Sequence, residues 1–119
     1  MNTSPDFQFL SISRAMEYIG DETGVMTLMQ TLRQSLSDDL PRIEQCLAAS
    51  DVKGANEWLH QLKGFTPVFC TEALVTEVVS VEALSKHGSA TEVQAAYAQL
   101  APKLAELQAE VDRHIAANP

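Results

Sequence analysis

Long apolar runs, cysteines and positive charge are all scarce in this chain, and each shortage removes a class of protein. No run of about 20 apolar residues is present, so nothing here is built to span a bilayer. The opening residues lack the basic and apolar regions of a secretory signal, and the expectation is a soluble, cytoplasmic domain with no direct membrane contact. Cys46 and Cys70 are far apart, each among apolar neighbours, which predicts buried free thiols in a reducing compartment, with a disulfide as the lesser alternative. Neither has a second cysteine or histidine at metal-ligand spacing. With 8 basic against 16 acidic residues the formal charge is -8, which repels a nucleic-acid backbone. A glycine-rich nucleotide-binding segment is also missing, so the chain is not expected to take phosphate from ATP or to be an enzyme in its own right.

What is there is enough apolar material for one core: 119 residues at 45% hydrophobic content predict a single domain over residues 1–119. Residues 1–10 give no period and read as an extended lead-in, with Phe7, Phe9 and Leu10 available to cover one end of the core. Over residues 11–19, Ile12, Ala15, Met16 and Ile19 share a helical face, and Gly20-Asp21 ends that helix and starts the next. Val25, Met29, Leu32, Leu36, Leu40, Ile43 and Leu47 then recur three or four apart, predicting a helix over residues 22–49. The stripe keeps phase across Pro41, which predicts one kinked helix, with a split capped by Asp39 as the alternative.

Asp51 can cap a third helix, and a fourth starts near Cys70 or Thr71 with Leu74, Val78, Val81 and Leu84 as its stripe. Gly88 ends it, and Ser89 with Glu92 makes a capping box for the last helix, in which Val93, Tyr97, Leu100, Leu104, Leu107, Val111 and Ile115 follow in near-heptad order, with a local bend expected at Pro102. The predicted fold is all-α: an antiparallel up-down-up-down four-helix bundle with a short additional N-terminal helix. His87 and His114 are expected at the surface, near helix C-termini.

The third helix carries the chemistry. At about 100° per residue, Ala55, Trp58, Leu62 and Phe69 gather on one face with Leu59 and Phe65 at its borders. Asn56, Glu57, His60, Lys63, Gly64 and Pro67 fall on the other, so His60 should meet water, and Trp58 should anchor the core. An exposed imidazole with a pKa near 6.5 keeps a free lone pair at cell pH and can attack a phosphoryl group. Lys63, one turn on, can neutralise the oxygens of that group, and Gly64 leaves room for another protein's active site. Lys53, two turns before His60, adds to a locally basic patch in which Glu57 is the only close acid.

His60-Gln61-Leu62-Lys63-Gly64 resembles the His-x-Leu-Lys-Gly signature of the histidine-containing phosphotransfer (HPt) domains of bacterial phosphorelays. The similarity extends upstream through Ser50-Asp51 and more loosely over most of the chain. It implies that His60 is the phosphoacceptor, that Lys63 stabilises the phosphoryl charge and that Gly64 gives clearance. Lys53, Asn56, Glu57, Gln61 and Pro67 would then meet the partners, which are response-regulator receiver domains. The resemblance further implies a monomer with no cofactor of its own, the receiver supplying Mg2+. Phe65 stands where the family usually has a small residue, Val68 where a polar one is common, and Cys70 where a glycine often closes the helix; Pro67 is unusual as well. These departures fit a divergent branch, such as the cytoplasmic C-terminal module of an inner-membrane hybrid sensor kinase. Pro67 is expected to kink or end the helix between Gly64 and Phe69.

Three rivals stand beside this reading. Glu57-x-x-His60 matches half of a di-iron or di-manganese bundle motif, but that site needs a second such pair, and none occurs. In a kinase dimerisation and phosphoacceptor domain an acidic residue follows the histidine, whereas Gln61 follows here and Thr66-Pro67 comes too late. The third is an interaction module of HPt-like fold that transfers no phosphate.

Overall fold

Short polar residues in non-helical backbone start the helices, as the sequence predicts. Ser11 Oγ accepts the Arg14 amide at 3.3 Å and opens α1 (Ile12–Ile19). Gly20, at φ 97°, turns the chain into the left-handed region that a side chain disfavours, and its amide closes α1 on the Met16 carbonyl at 2.8 Å. Asp21 then caps α2 (Glu22–Ala48) through the Gly24 amide at 2.6 Å, and Asp51 caps α3 (Val52–Phe69) through the Gly54 amide at 2.9 Å. After α4 (Glu72–Leu84), Ser89 and Glu92 form the full capping box of α5 (Ala90–Ala117). These elements come from a computed structural model that describes residues 7–119.

The helices close on a shared core. α2 packs against α3 and α5, α4 packs against the same two, and α1 lies against α2 and α3, within extents of 43 × 22 × 21 Å. All seven members of the predicted α2 stripe are buried, and α2 runs through Pro41 as one helix because Leu40 and Ile43 on either side stay packed. The described residues contain no strand beyond an isolated antiparallel bridge between Leu10 and Cys70. None of their helices is long and apolar enough to cross a membrane.

The described part of the expected lead-in, residues 7–10, is pinned rather than loose; residues 1–6 lie outside the described residues. The buried carboxylate of Glu110 accepts the amides of Gln8, Phe9 and Leu10 at 2.7, 2.9 and 2.9 Å. On the other side, Ser11 donates its amide to Phe69 O at 2.7 Å and Thr71 donates to Phe9 O at 2.8 Å. This segment therefore ties the end of α3 to α5.

Several expectations need correction. His114 is buried, not at the surface, and Phe7 meets its ring edge-on at 6.1 Å between centroids. Its burial follows the stripe itself, since the alternating steps of four and three that end at Leu107 and Val111 arrive next at His114, leaving Ile115 half-buried. Burial pushes the imidazole below its ordinary value, which keeps it neutral. Trp58 is half-buried, with the Arg42 guanidinium 4.5 Å from its ring centroid, so it is a lid under a cation rather than a core anchor. Both thiols are free, but Cys46 is only half-buried, whereas Cys70 is buried and pushed up to about 12 by desolvation.

Pro67 does not end α3. The helix continues to Phe69, and the Cys70 amide bonds Thr66 O at 2.8 Å, because Thr66 and Phe69 are buried and Arg14 Nε donates to the Pro67 carbonyl at 2.8 Å. Gly88 is needed for close approach rather than for a left-handed turn. A Cβ there would sit 2.9 Å from the Leu84 carbonyl oxygen, which already accepts the Gly88 amide.

Candidate functional site

The buried stripe of α3 is Ala55, Leu59, Leu62, Thr66 and Phe69, so the helix is turned toward Leu59 relative to the expected face. That rotation leaves Lys53, Glu57, His60, Gln61 and Gly64 exposed on the far side. His60 makes no hydrogen bond or ion pair among the described residues, and a side chain added at Gly64, one turn further, would meet nothing within 4 Å. The imidazole is thus open to an approaching partner along its own helix face.

Lys63 is not free in the way the sequence suggests. Its side chain is 32% exposed and its Nζ lies 3.2 Å from Oε2 of Glu82, a residue of α4 with no exposed surface. Lys86 Nζ lies 3.1 Å from the other oxygen. Burial pushes the Glu82 carboxyl up, but the ammonium groups of Lys86 and Lys63 outweigh that and hold it below the ordinary glutamate value. Around this pair, Asn56 Nδ2 donates to Ser85 Oγ at 2.8 Å, and Ser85 Oγ donates to the Glu82 carbonyl at 2.6 Å. Asn56, expected to meet a partner, is therefore engaged across the α3–α4 contact, and half-buried Pro67 gives its carbonyl to Arg14.

Glu82 and Lys86 are the residues that sequence reasoning missed. Their i, i+4 spacing was legible as a helical ion pair, and Glu82 sits four residues after buried Val78, at the border of the α4 stripe. Nothing local, however, assigns Lys63 of another helix to the same carboxylate. A groove lined by Lys53, Asn56, Lys86 and His87 runs between α3 and the turn after α4. A smaller apolar groove lies on the other flank, where Phe65 and Phe69 meet Leu28 and Leu32 of α2.

Glu57 and His60 are both exposed, which does not provide the inward-facing pair a bundle metal site uses. Among the described residues no three His, Cys, Asp or Glu side chains are placed to hold a metal ion.

The Lys63–Glu82–Lys86 cluster makes stability depend on acid. Because the folded value of Glu82 is depressed, its contribution is present above the unfolded value, near 4.5, and is lost as pH falls through the folded value. Glu82→Gln should therefore unfold at lower temperature than the wild type near neutral pH, and the gap should close in acid. Thermal melts across that range check this; a gap that widened in acid would contradict it.

Comparison of the chain with protein-family models, with curated proteins and with solved structures finds no match.

Proposed function

We propose that this chain is a phosphohistidine carrier of the HPt kind, taking a phosphoryl group from the aspartate of one receiver domain and passing it to another. The observation that carries the reading is the α3 face itself: an exposed His60 with Lys63 at i+3 and open space at Gly64 at i+4. In this reading the four long helices form an antiparallel up-down-up-down bundle around α3, and the domain acts as a cytoplasmic monomer. A neutral imidazole nitrogen of His60 attacks phosphorus in line; the N–P bond forms as the acyl phosphate P–O bond breaks, and the receiver's carboxylate leaves. The reverse step hands the group on. Lys63 offsets charge on the phosphoryl oxygens, while Mg2+ and most of the catalytic groups belong to the receiver. Lys53, Glu57 and Gln61 are the exposed α3 residues that meet the partner.

The engagement of Lys63 by Glu82 is the observation that favours the rival reading, an interaction module that transfers nothing. Incubation with a receiver domain carrying radiolabelled aspartyl phosphate separates the two. The carrier reading expects label to leave the receiver and appear on this chain within minutes; label that stays on the receiver or goes only to water supports the interaction module.

The clearance role of Gly64 has its own test. Gly64→Ala should stabilise the domain by up to about 1 kcal/mol, because alanine is the better helix former and meets no neighbour. Gln and Leu at this position should also fold, yet transfer should slow as side-chain volume grows. Gly64→Leu transferring at the original rate would refute the clearance role.

A further inference from the structure

Glu82 is a carboxylate with no exposed surface, and the two ammonium groups of Lys63 and Lys86 are its only partners among the described residues. The lysines come from different elements, Lys63 from α3 and Lys86 from the turn after α4, and differ in what else they can reach. Lys86 is four residues after Glu82, in the turn that follows α4, and 56% exposed. Lys63 is one turn from His60 on α3, where side chains three apart are surface neighbours. Lys63, sharing the helix face of His60, therefore has two competing anions within its range once His60 carries a phosphoryl group, whereas Lys86 meets α3 beside Asn56.

Resting on the carrier reading of His60, we infer that Glu82 is a positioning residue that partitions Lys63 between its own carboxylate and the phosphoryl oxygens, with Lys86 retained to neutralise Glu82 when Lys63 moves. A buried carboxylate cannot be left without a counter-charge, so a cluster with one lysine would hold Lys63 in place. With two, Lys63 can leave while Lys86 stays. The unphosphorylated domain thus stores the charge stabiliser against α4, and the phosphorylated domain draws it out.

Phosphoramidate gives a test that needs no receiver, since the imidazole lone pair forms the N–P bond as the reagent's P–N bond breaks and ammonia leaves. His87 is exposed and His114 buried, so a His87→Gln background leaves His60 as the exposed acceptor. The readout is the pH midpoint at which the phosphoryl group takes its last proton, followed by its 31P resonance; a nearby ammonium lowers that midpoint. Glu82→Gln frees Lys63 and should lower the midpoint by up to about 0.7 of a pH unit, the scale of one charge near 4 Å in water. Lys86→Ala leaves Glu82 dependent on Lys63 and should raise it. The Glu82→Gln shift should vanish in a Lys63→Ala background, where Lys86 beside a neutral side chain at position 82 leaves no buried charge unpaired, whereas a general effect of removing charge would persist there.

Unmoved midpoints in both single variants, or a Glu82→Gln shift that survives without Lys63, would overturn the inference. Should Glu82→Gln fail to fold, Lys86→Ala, a change at an exposed side chain, carries the test alone. Chemical labelling also keeps the two readings apart. The predicted shifts without any receiver-dependent transfer would count against the carrier function only, and normal transfer without the shifts would count against the partition only.

Discussion

Glu110→Leu should lower the unfolding free energy by about 3–5 kcal/mol. Three backbone amides, those of Gln8, Phe9 and Leu10, end on this one buried carboxylate. Hydrogen bonds to a charged acceptor contribute about 1.5–3 kcal/mol each, and an amide left buried without a partner costs more than one returned to water. The loss is bounded because the segment can peel away and rehydrate, which then exposes Leu10 and uncovers the end of α3 near Cys70. Glu110→Gln keeps an acceptor oxygen but turns an amide toward the same donors, so about half the loss is expected. Denaturant unfolding measures both, and hydrogen exchange at the amides of residues 8–10 should accelerate in each. A change below about 1 kcal/mol for leucine would mean that the bridge to α3, not the carboxylate, holds the segment.

The second large effect is the one the carrier reading predicts for transfer. His60→Gln should reduce phosphorylation by a labelled receiver to background while leaving the unfolding temperature within error, because His60 is exposed and makes no bond among the described residues. Lys63→Ala should retain transfer at about a fifth of the rate, since removing one charge some 4 Å from the phosphoryl oxygens in water costs on the order of 1 kcal/mol. The pair of variants separates the nucleophile, which nothing replaces, from a stabiliser that water and the receiver partly replace. Label surviving in His60→Gln would move the acceptor elsewhere.

What the chain discloses locally is accurate. Ser11, Gly20-Asp21, Asp51 and Ser89 with Glu92 mark helix boundaries because a cap acts within one turn and leaves its pattern in a few neighbouring residues. The α2 stripe is legible for the same reason, and so is the exposure of His60, which follows from helix phase. The buried polar residues are where such reading fails. Glu82, Glu110 and His114 sit at or beside core positions of their helices, and each meets a partner on another element: Lys63 of α3 pairs with Glu82, the amides of residues 8–10 donate to Glu110, and Phe7 packs edge-on against the His114 ring. Periodicity assigns such residues to the surface by their polarity, since the partner is distant in sequence. Trp58 fails in the opposite sense: hydrophobicity sends it inward, while Leu59 takes the core position and Arg42 covers the indole. Pro67 removes one hydrogen bond, but packing at Thr66 and Phe69 outweighs that loss, and tertiary contact rather than backbone propensity decides where α3 ends.

The most direct measurement is the location and chemistry of the phosphate after the wild-type chain has been incubated with a phosphorylated receiver domain. The carrier reading predicts one phosphate per chain, stable to alkali and lost in acid, on the peptide that contains His60 and on no other. Label that survives acid, resides on His87 or a hydroxyl side chain, or never leaves the receiver would contradict it.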